Sequence, residues 1–243
     1  MKNRQIVICR YNEDISWTNW INEDVLIYNK GERIKSKHKV INLPNLGMFH
    51  GTQLYHIIEN YENLADINVF LQGWPFDAVI AEHYGWNHSI EGLEKILHFY
   101  STIGSDKMAS THSHIQSVKN LFEAPPNYNQ RHHNEFVKYT FDWHEWLKII
   151  DPKNKVNWDT EMPFFRNGQI GLSKKAILSN PKEFYILLLD HWKYSNPVAE
   201  WATESTQHII FNSDIDENFI DYEHESLDLT NLKNYKEWIY EIK

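Results

Sequence analysis

The sequence predicts an α/β protein with a mostly parallel central sheet flanked by helices. Short β-branched runs recur through the first third, segments of helical spacing separate the later ones, and the runs stop at polar or turn residues. The first run, RQIVICR from Arg4 to Arg10, stops at YNED, as a strand leading into a functional loop would. DVLIYN at 24–29 ends in the Gly-containing turn NKGE, and KVINL at 39–43 meets Pro44 and then Asn45, Leu46 and Gly47. Leu54, Ile57, Ile58 and Tyr61 then recur at helical steps before INVFLQG supplies a fourth strand from Ile67.

Beyond this point the chain reads as more helical. IEGLEKILHFY and the series Phe136, Tyr139, Trp143, Trp146, Leu147 and Ile150 each fit one face of a helix, so residues 89–165 are expected to form a helical insertion. A Pro/Asn-rich loop, FEAPPNYNQRHHN, interrupts it. GQIGLSKKAI from Gly168 reads as a short strand running into a helix, PKEFYILLLDHW as a helix with Pro181 at its start, and AEWATESTQHIIF as another. One catalytic domain is expected over 1–212, followed at 213–243 by an acidic connector and an amphipathic helix packing back.

Composition excludes some functions. The formal charge of −9 opposes binding to a phosphate backbone, which rests on clustered Lys and Arg, so no nucleic acid is expected. No window approaches the roughly 20 apolar residues a membrane span requires, and MKNRQIVIC lacks the apolar core of a signal peptide. A single cysteine, Cys9, fits a reducing compartment and a buried strand position, so a soluble, cytoplasmic protein is expected. Aromatic residues make up 14% of the chain, with ten tryptophans, which serves either cores or sugar-stacking surfaces.

The ordered signals Tyr11-Asn12-Glu13-Asp14, Asn29 at the end of DVLIYN, Asn45-Leu46-Gly47, and VFLQG where other members carry paired aspartates resemble nucleotide-sugar glycosyltransferases of the GT-A fold. More narrowly, RYNEDISW, IIENYENLADINVFLQG and ESTQHIIF resemble an uncharacterised family of fungal and bacterial glycosyltransferase-like domains, over roughly residues 5–75 and 165–212. The resemblance implies a GT-A-like (Rossmann-like) fold. It also implies transfer of a sugar from a UDP- or GDP-linked donor to a hydroxyl acceptor, a glycan or polysaccharide, with inversion.

Each need of that reaction points to residue types. Tyr11, Asn12 and Asp14 can stack on or hydrogen-bond a nucleoside, although Asn12 and Asp14 equally suit caps of a short helix near Ser16. Arg10 suits a phosphate or an ion pair with Glu13, and Asn29, Asn45 and Gly47 complete the donor side. A Mn or Mg ion wants hard carboxylate oxygens, which Gln72, Gly73 and Trp74 do not supply, so no cofactor is assigned with certainty. Asp77 is the carboxylate left near that strand end, with a turn role as its alternative, and Trp74 suits a sugar face or a cap on the sheet. Glu204 and His208, four apart, project from one helix face, with Glu204 as general base, His208 to orient it, bind diphosphate or ligate metal, and Glu200 as competitor. The resemblance implies that Asn167 and Gln169 lie on the acceptor side, where Gly168 and Gly171 would let a sugar approach or equally shape an edge strand. Two alternatives remain: a non-catalytic carbohydrate- or nucleotide-binding module, and a metal-dependent hydrolase using His112, His114 and His208.

Overall fold

The run RQIVICR is strand β1 (Arg4–Arg10). Ile6 and Ile8 pack on one face of the sheet with Trp17, Leu93, Ile96 and Tyr100, while Val7 and Cys9 pack on the other with Leu54, Ile57, Tyr185 and Ile210. Successive side chains of a strand point to opposite faces, so an apolar strand of this kind demands cover on both. The computed structural model describes residues 3–45, 48–76, 86–101, 107–110, 113–117, 143–151, 161–165, 168–194, 198–211 and 214–215.

The other strands are β2 (Val25–Asn29), β3 (Lys39–Asn42), β4 (Ile67–Gln72), β5 (Lys107–Ser110), β6 (Ser113–Ser117), β7 (Glu161–Phe165), β8 (Ile170–Ser173) and β9 (Asp214–Ile215). The helices are α1 (Met48–Asn60), α2 (Ile90–Ser101), α3 (Trp143–Ile150), α4 (Lys174–Ile177), α5 (Lys182–Tyr194) and α6 (Val198–Ile210), with 3-10 turns at Ser16–Trp20 and Tyr61–Asn63. Seven strands form the main sheet in the order β3-β2-β1-β4-β8-β5-β9. β1 to β4 are mutually parallel, and β8 runs antiparallel to both β4 and β5. Residues of α1, α3, α5 and α6 cover one face, and residues of α2 and the first 3-10 turn cover the other. The expected α/β sheet with flanking helices is thus present. Among the described residues, no helix is long and apolar enough to cross a membrane.

The middle departs from the expected helical insertion. Within 89–165 the described residues include α2 and α3, but also β5 in the main sheet and the antiparallel pair β6 and β7. These strands are four or five residues long and polar (KMAS, SHIQS), and EMPFF carries Pro163, which ordinarily argues against a strand. β9 also joins the sheet beyond residue 212, pairing parallel with β5. Phe136, Tyr139, the Pro/Asn-rich loop and the terminal helix expected near 232–242 lie outside the described residues.

β1 leads outward to β2 and β3 on one side, and β4 then returns on β1's other side. Strand order therefore reverses between β1 and β4, and parallel α/β sheets bind ligands at the carboxyl edge of such a switch point. Cys9 pairs with Gln72 in the register, which sets residues 10–14 beside 72–74 at that edge.

Candidate functional site

Three strands end in one polar row, because Arg10 is registered with Asn29 and Asn29 with Asn42. The Arg10 guanidinium is buried and donates to Asn29 Oδ1 (2.5 Å), Tyr11 O (2.8 Å), Glu13 O (2.9 Å) and Glu32 O (3.2 Å). Asn29 Nδ2 donates to Asn42 Oδ1 (2.9 Å), Glu32 O (3.0 Å) and Gly31 O (3.3 Å). A buried charge needs such a shell of acceptors, and here it ties the loops after β1 and β2 together. Arg10 thus meets Glu13 at its backbone carbonyl, where the sequence offered either a phosphate or an ion pair with Glu13 or another surface acid. Both residues expected on the donor side thus spend their described hydrogen bonds on the scaffold.

Above this row the loop 11–14 is pinned from several sides. Glu13 Oε2 accepts from the Tyr11 N–H (2.7 Å), and Asn12 Oδ1 accepts from the Glu32 N–H (2.9 Å). Asp14 accepts from the Ser16 N–H (2.8 Å) and hydroxyl (3.0 Å), and these bonds, the backbone one first, hold its carboxyl below the usual range. Asp14 therefore makes the capping contact that was its alternative role, while Tyr11 is exposed. Gly31 is required where it stands, since a Cβ there would lie 1.7 Å from Tyr11 O and 2.2 Å from Asn12 Oδ1. The β1 loop and the 30–38 connection line an open pocket of about 390 Å³, whose charged residues are Arg10, Glu13, Asp14 and Lys35.

At the end of β4, Gln72 is half-buried. Gly73 O accepts from Trp17 Nε1 (2.9 Å), and a Cβ at Gly73 would meet Glu13 Oε2 at 2.6 Å. Trp74 is half-buried and packs against Phe76 (ring centroids 5.3 Å apart) and His88 (4.6 Å). Asp77 lies outside the described residues, and among those described no group of three or more His, Cys, Asp and Glu can hold a metal. Of the described carboxylates at this edge, Glu13 accepts from the Tyr11 N–H through Oε2 and Asp14 accepts from Ser16 through both oxygens.

On the other face, β8 begins at the carboxyl edge beside β4, where Gln169 is buried and its Nε2 donates to Pro75 O (3.3 Å). Its Oε1 has no hydrogen-bond partner among the described residues. A Cβ at Gly168 would lie 2.4 Å from the Phe49 ring, so the first turn of α1 also closes on this point. Next to it, His50 Nε2 and Gln207 Nε2 are 2.6 Å apart across the buried α1–α6 contact.

α6 runs from the carboxyl edge downward, since Ile210 O and Phe211 O accept from Asn180 and Ser179 beyond the far end of β8. Glu204 precedes Gln207 by three residues, which at helical rise lifts it about 4.5 Å further toward the carboxyl edge. It is half-buried. His208 is 1% exposed, and burial pushes its imidazole down to about 3, so it is neutral at neutral pH. Asn45 is exposed, Glu200 lies in the first turn of α6, and Gly47, Asn167 and His112 fall outside the described residues. His114 lies on β6, opposite Phe164 of β7.

Residues that sequence reasoning did not single out are His50, Gln53, Gln207 and Lys35. Gln53 is fully buried, with neither amide atom partnered among the described residues. The available signal was the three-residue step from His50 to Gln53 on α1, and four cations against one acid in KGERIKSKH.

No protein-family model and no curated protein matches the chain. Among solved structures, a CMP:2-keto-3-deoxy-manno-octonic acid synthetase complexed with CTP aligns over 99% of this chain and 100% of that one. The identity is 12% and the TM-score 0.39.

Proposed function

We propose that this chain is a nucleotide-sugar glycosyltransferase of GT-A type, with its donor nucleotide over the carboxyl ends of β1 and β2. The observation that carries the proposal is the pocket of about 390 Å³ beside the end of β1, walled by the β1 loop and the 30–38 connection and adjoining the switch point. Tyr11 and Asn12 contact the nucleoside there, and Gln72 and Trp74 border the sugar. Asn167, Gln169 and Glu200 belong to the acceptor side. Glu204 is the general base: the acceptor hydroxyl oxygen bonds to the anomeric carbon, its proton passes to the Glu204 carboxylate, and the bond from that carbon to the diphosphate breaks. The half-buried position of Glu204, toward the carboxyl edge, supports this role.

Mn or Mg, if used, would supply charge compensation for the leaving diphosphate, and Asp77 is the carboxylate proposed to hold it. The sequence FLQGW at the end of β4, which lacks the paired carboxylates, favours charge compensation by protein groups instead. That same feature favours a second reading, a nucleotide- or carbohydrate-binding module without catalysis. Turnover separates the two. Glu204→Gln should abolish transfer and slow donor hydrolysis while leaving nucleotide binding and thermal stability unchanged. Equal turnover in this variant removes Glu204 as the base, and a wild type that binds nucleotide without any donor hydrolysis supports the binding module.

A further inference from the structure

We propose that Lys35 is the cation that takes the diphosphate of the bound nucleotide, in place of a metal ion. The inference rests on the nucleotide reading of the pocket. Lys35 lines that pocket, is exposed, and makes no hydrogen bond or ion pair among the described residues. The other pocket cation, Arg10, is buried and gives its Nε and Nη1 to Asn29 Oδ1 and three carbonyls. Lys37, two residues on, donates its Nζ to Asn19 O (2.9 Å) and so braces the pocket wall.

The acids nearby do not claim Lys35. Asp14 bonds Ser16 through both oxygens, and Glu13 bonds the Tyr11 N–H and abuts Gly73. The segment KGERIKSKH concentrates four Lys and Arg against one acid, in a chain whose net charge is −9. The pocket lining sets two cations, Arg10 and Lys35, against two acids, Glu13 and Asp14, and with Arg10 spent on the scaffold Lys35 is the cation left to meet a phosphate in a charge-assisted bond. Asn12, Ser16 and Ser36 line the same wall and contribute polar groups suited to a nucleoside. The ligand chemistry is therefore a nucleoside carrying phosphate, gripped at its phosphate end by Lys35.

The test is calorimetry with UDP, GDP, uridine and guanosine in EDTA, on the wild-type chain, Lys35→Ala and Lys35→Arg, with circular dichroism as the folding check. The wild type should bind one diphosphate about 10- to 100-fold tighter than its nucleoside, the range of a hydrogen bond to a charged group. Lys35→Ala should bring that ratio to within about threefold while nucleoside affinity holds, and Lys35→Arg should preserve it. An unchanged ratio in Lys35→Ala overturns the proposal. So does an equal loss for nucleoside and diphosphate, which would make Lys35 a reader of the base or ribose. A ratio that appears only when Mn or Mg replaces EDTA assigns the diphosphate to a metal and also overturns it. Failure of the wild type to bind any of the four overturns the nucleotide reading itself, and this inference with it.

Discussion

Replacing Asn29 by Ala should damage the molecule more than any exposed change in the same loops. The carboxamide accepts the Arg10 bond and donates to Asn42 Oδ1, Glu32 O and, at 3.3 Å, Gly31 O. A neutral hydrogen bond contributes about 1 kcal/mol net, one to a charged group about 1.5–3 kcal/mol, and the 3.3 Å contact little. The loss adds to about 3–5 kcal/mol, since Asn29 is 1% exposed and water does not easily replace the missing acceptor for Arg10. With a urea slope of about 3 kcal/mol/M for a chain of this size, the midpoint should fall by about 1–1.7 M. Asn12→Ala, which removes one exposed bond to the Glu32 N–H, is the control and should shift it by less than about 0.3 M. An Asn29→Ala midpoint indistinguishable from that control would refute the idea that this polar row organises the carboxyl edge.

Two further outcomes follow from burial and close approach. Burial lowers His56 to about 4 and His208 to about 3, from 6.5, so both fold neutral. Below pH 6.5 the unfolded chain binds protons that the folded one refuses. Their contribution is therefore complete above pH 6.5 and is lost as pH falls toward 4 and then 3. By pH 5 each should have cost about 2 kcal/mol, and His56→Gln should halve the loss these two cause between pH 7 and 5 in urea titrations, whereas an unchanged loss would contradict it. Gly31→Ala forces a Cβ into Tyr11 O and should lower stability by about 2–4 kcal/mol and weaken nucleotide binding. Thermal melts matching the wild type would show that the two loops separate freely.

The first four strands and α1 were legible because each is local: an apolar run bounded by turn residues, or a helical series such as Leu54, Ile57 and Ile58. β6 and β7 were hidden because they are short, β6 is polar and β7 carries Pro163, and because they are defined by pairing across a distance the sequence does not display. The site was half legible. Arg10 and Asn29 stood out as polar strand ends, but their partners are the end of β3 at Asn42 and the turn after β2 at Glu32, so only the fold reveals that they brace the loops. Lys35 carries no signal in the sequence beyond its charge, because its place in the pocket depends on the 30–38 connection meeting the β1 loop. Glu204 and His208 were correctly placed on one helix, yet the spacing gave no sign that His208 is buried while Glu204 is only half so.

The central claim, that a nucleotide binds at the carboxyl edge beside β1, is tested most directly by amide shift mapping of the labelled chain titrated with UDP and GDP. Saturable shifts should cluster at residues 11–16 and 34–36, with smaller ones at 72–74 and little change on the exposed side of α5 around Ile186 and Leu187. Shifts that cluster elsewhere, or none with either nucleotide at millimolar concentration, would contradict it.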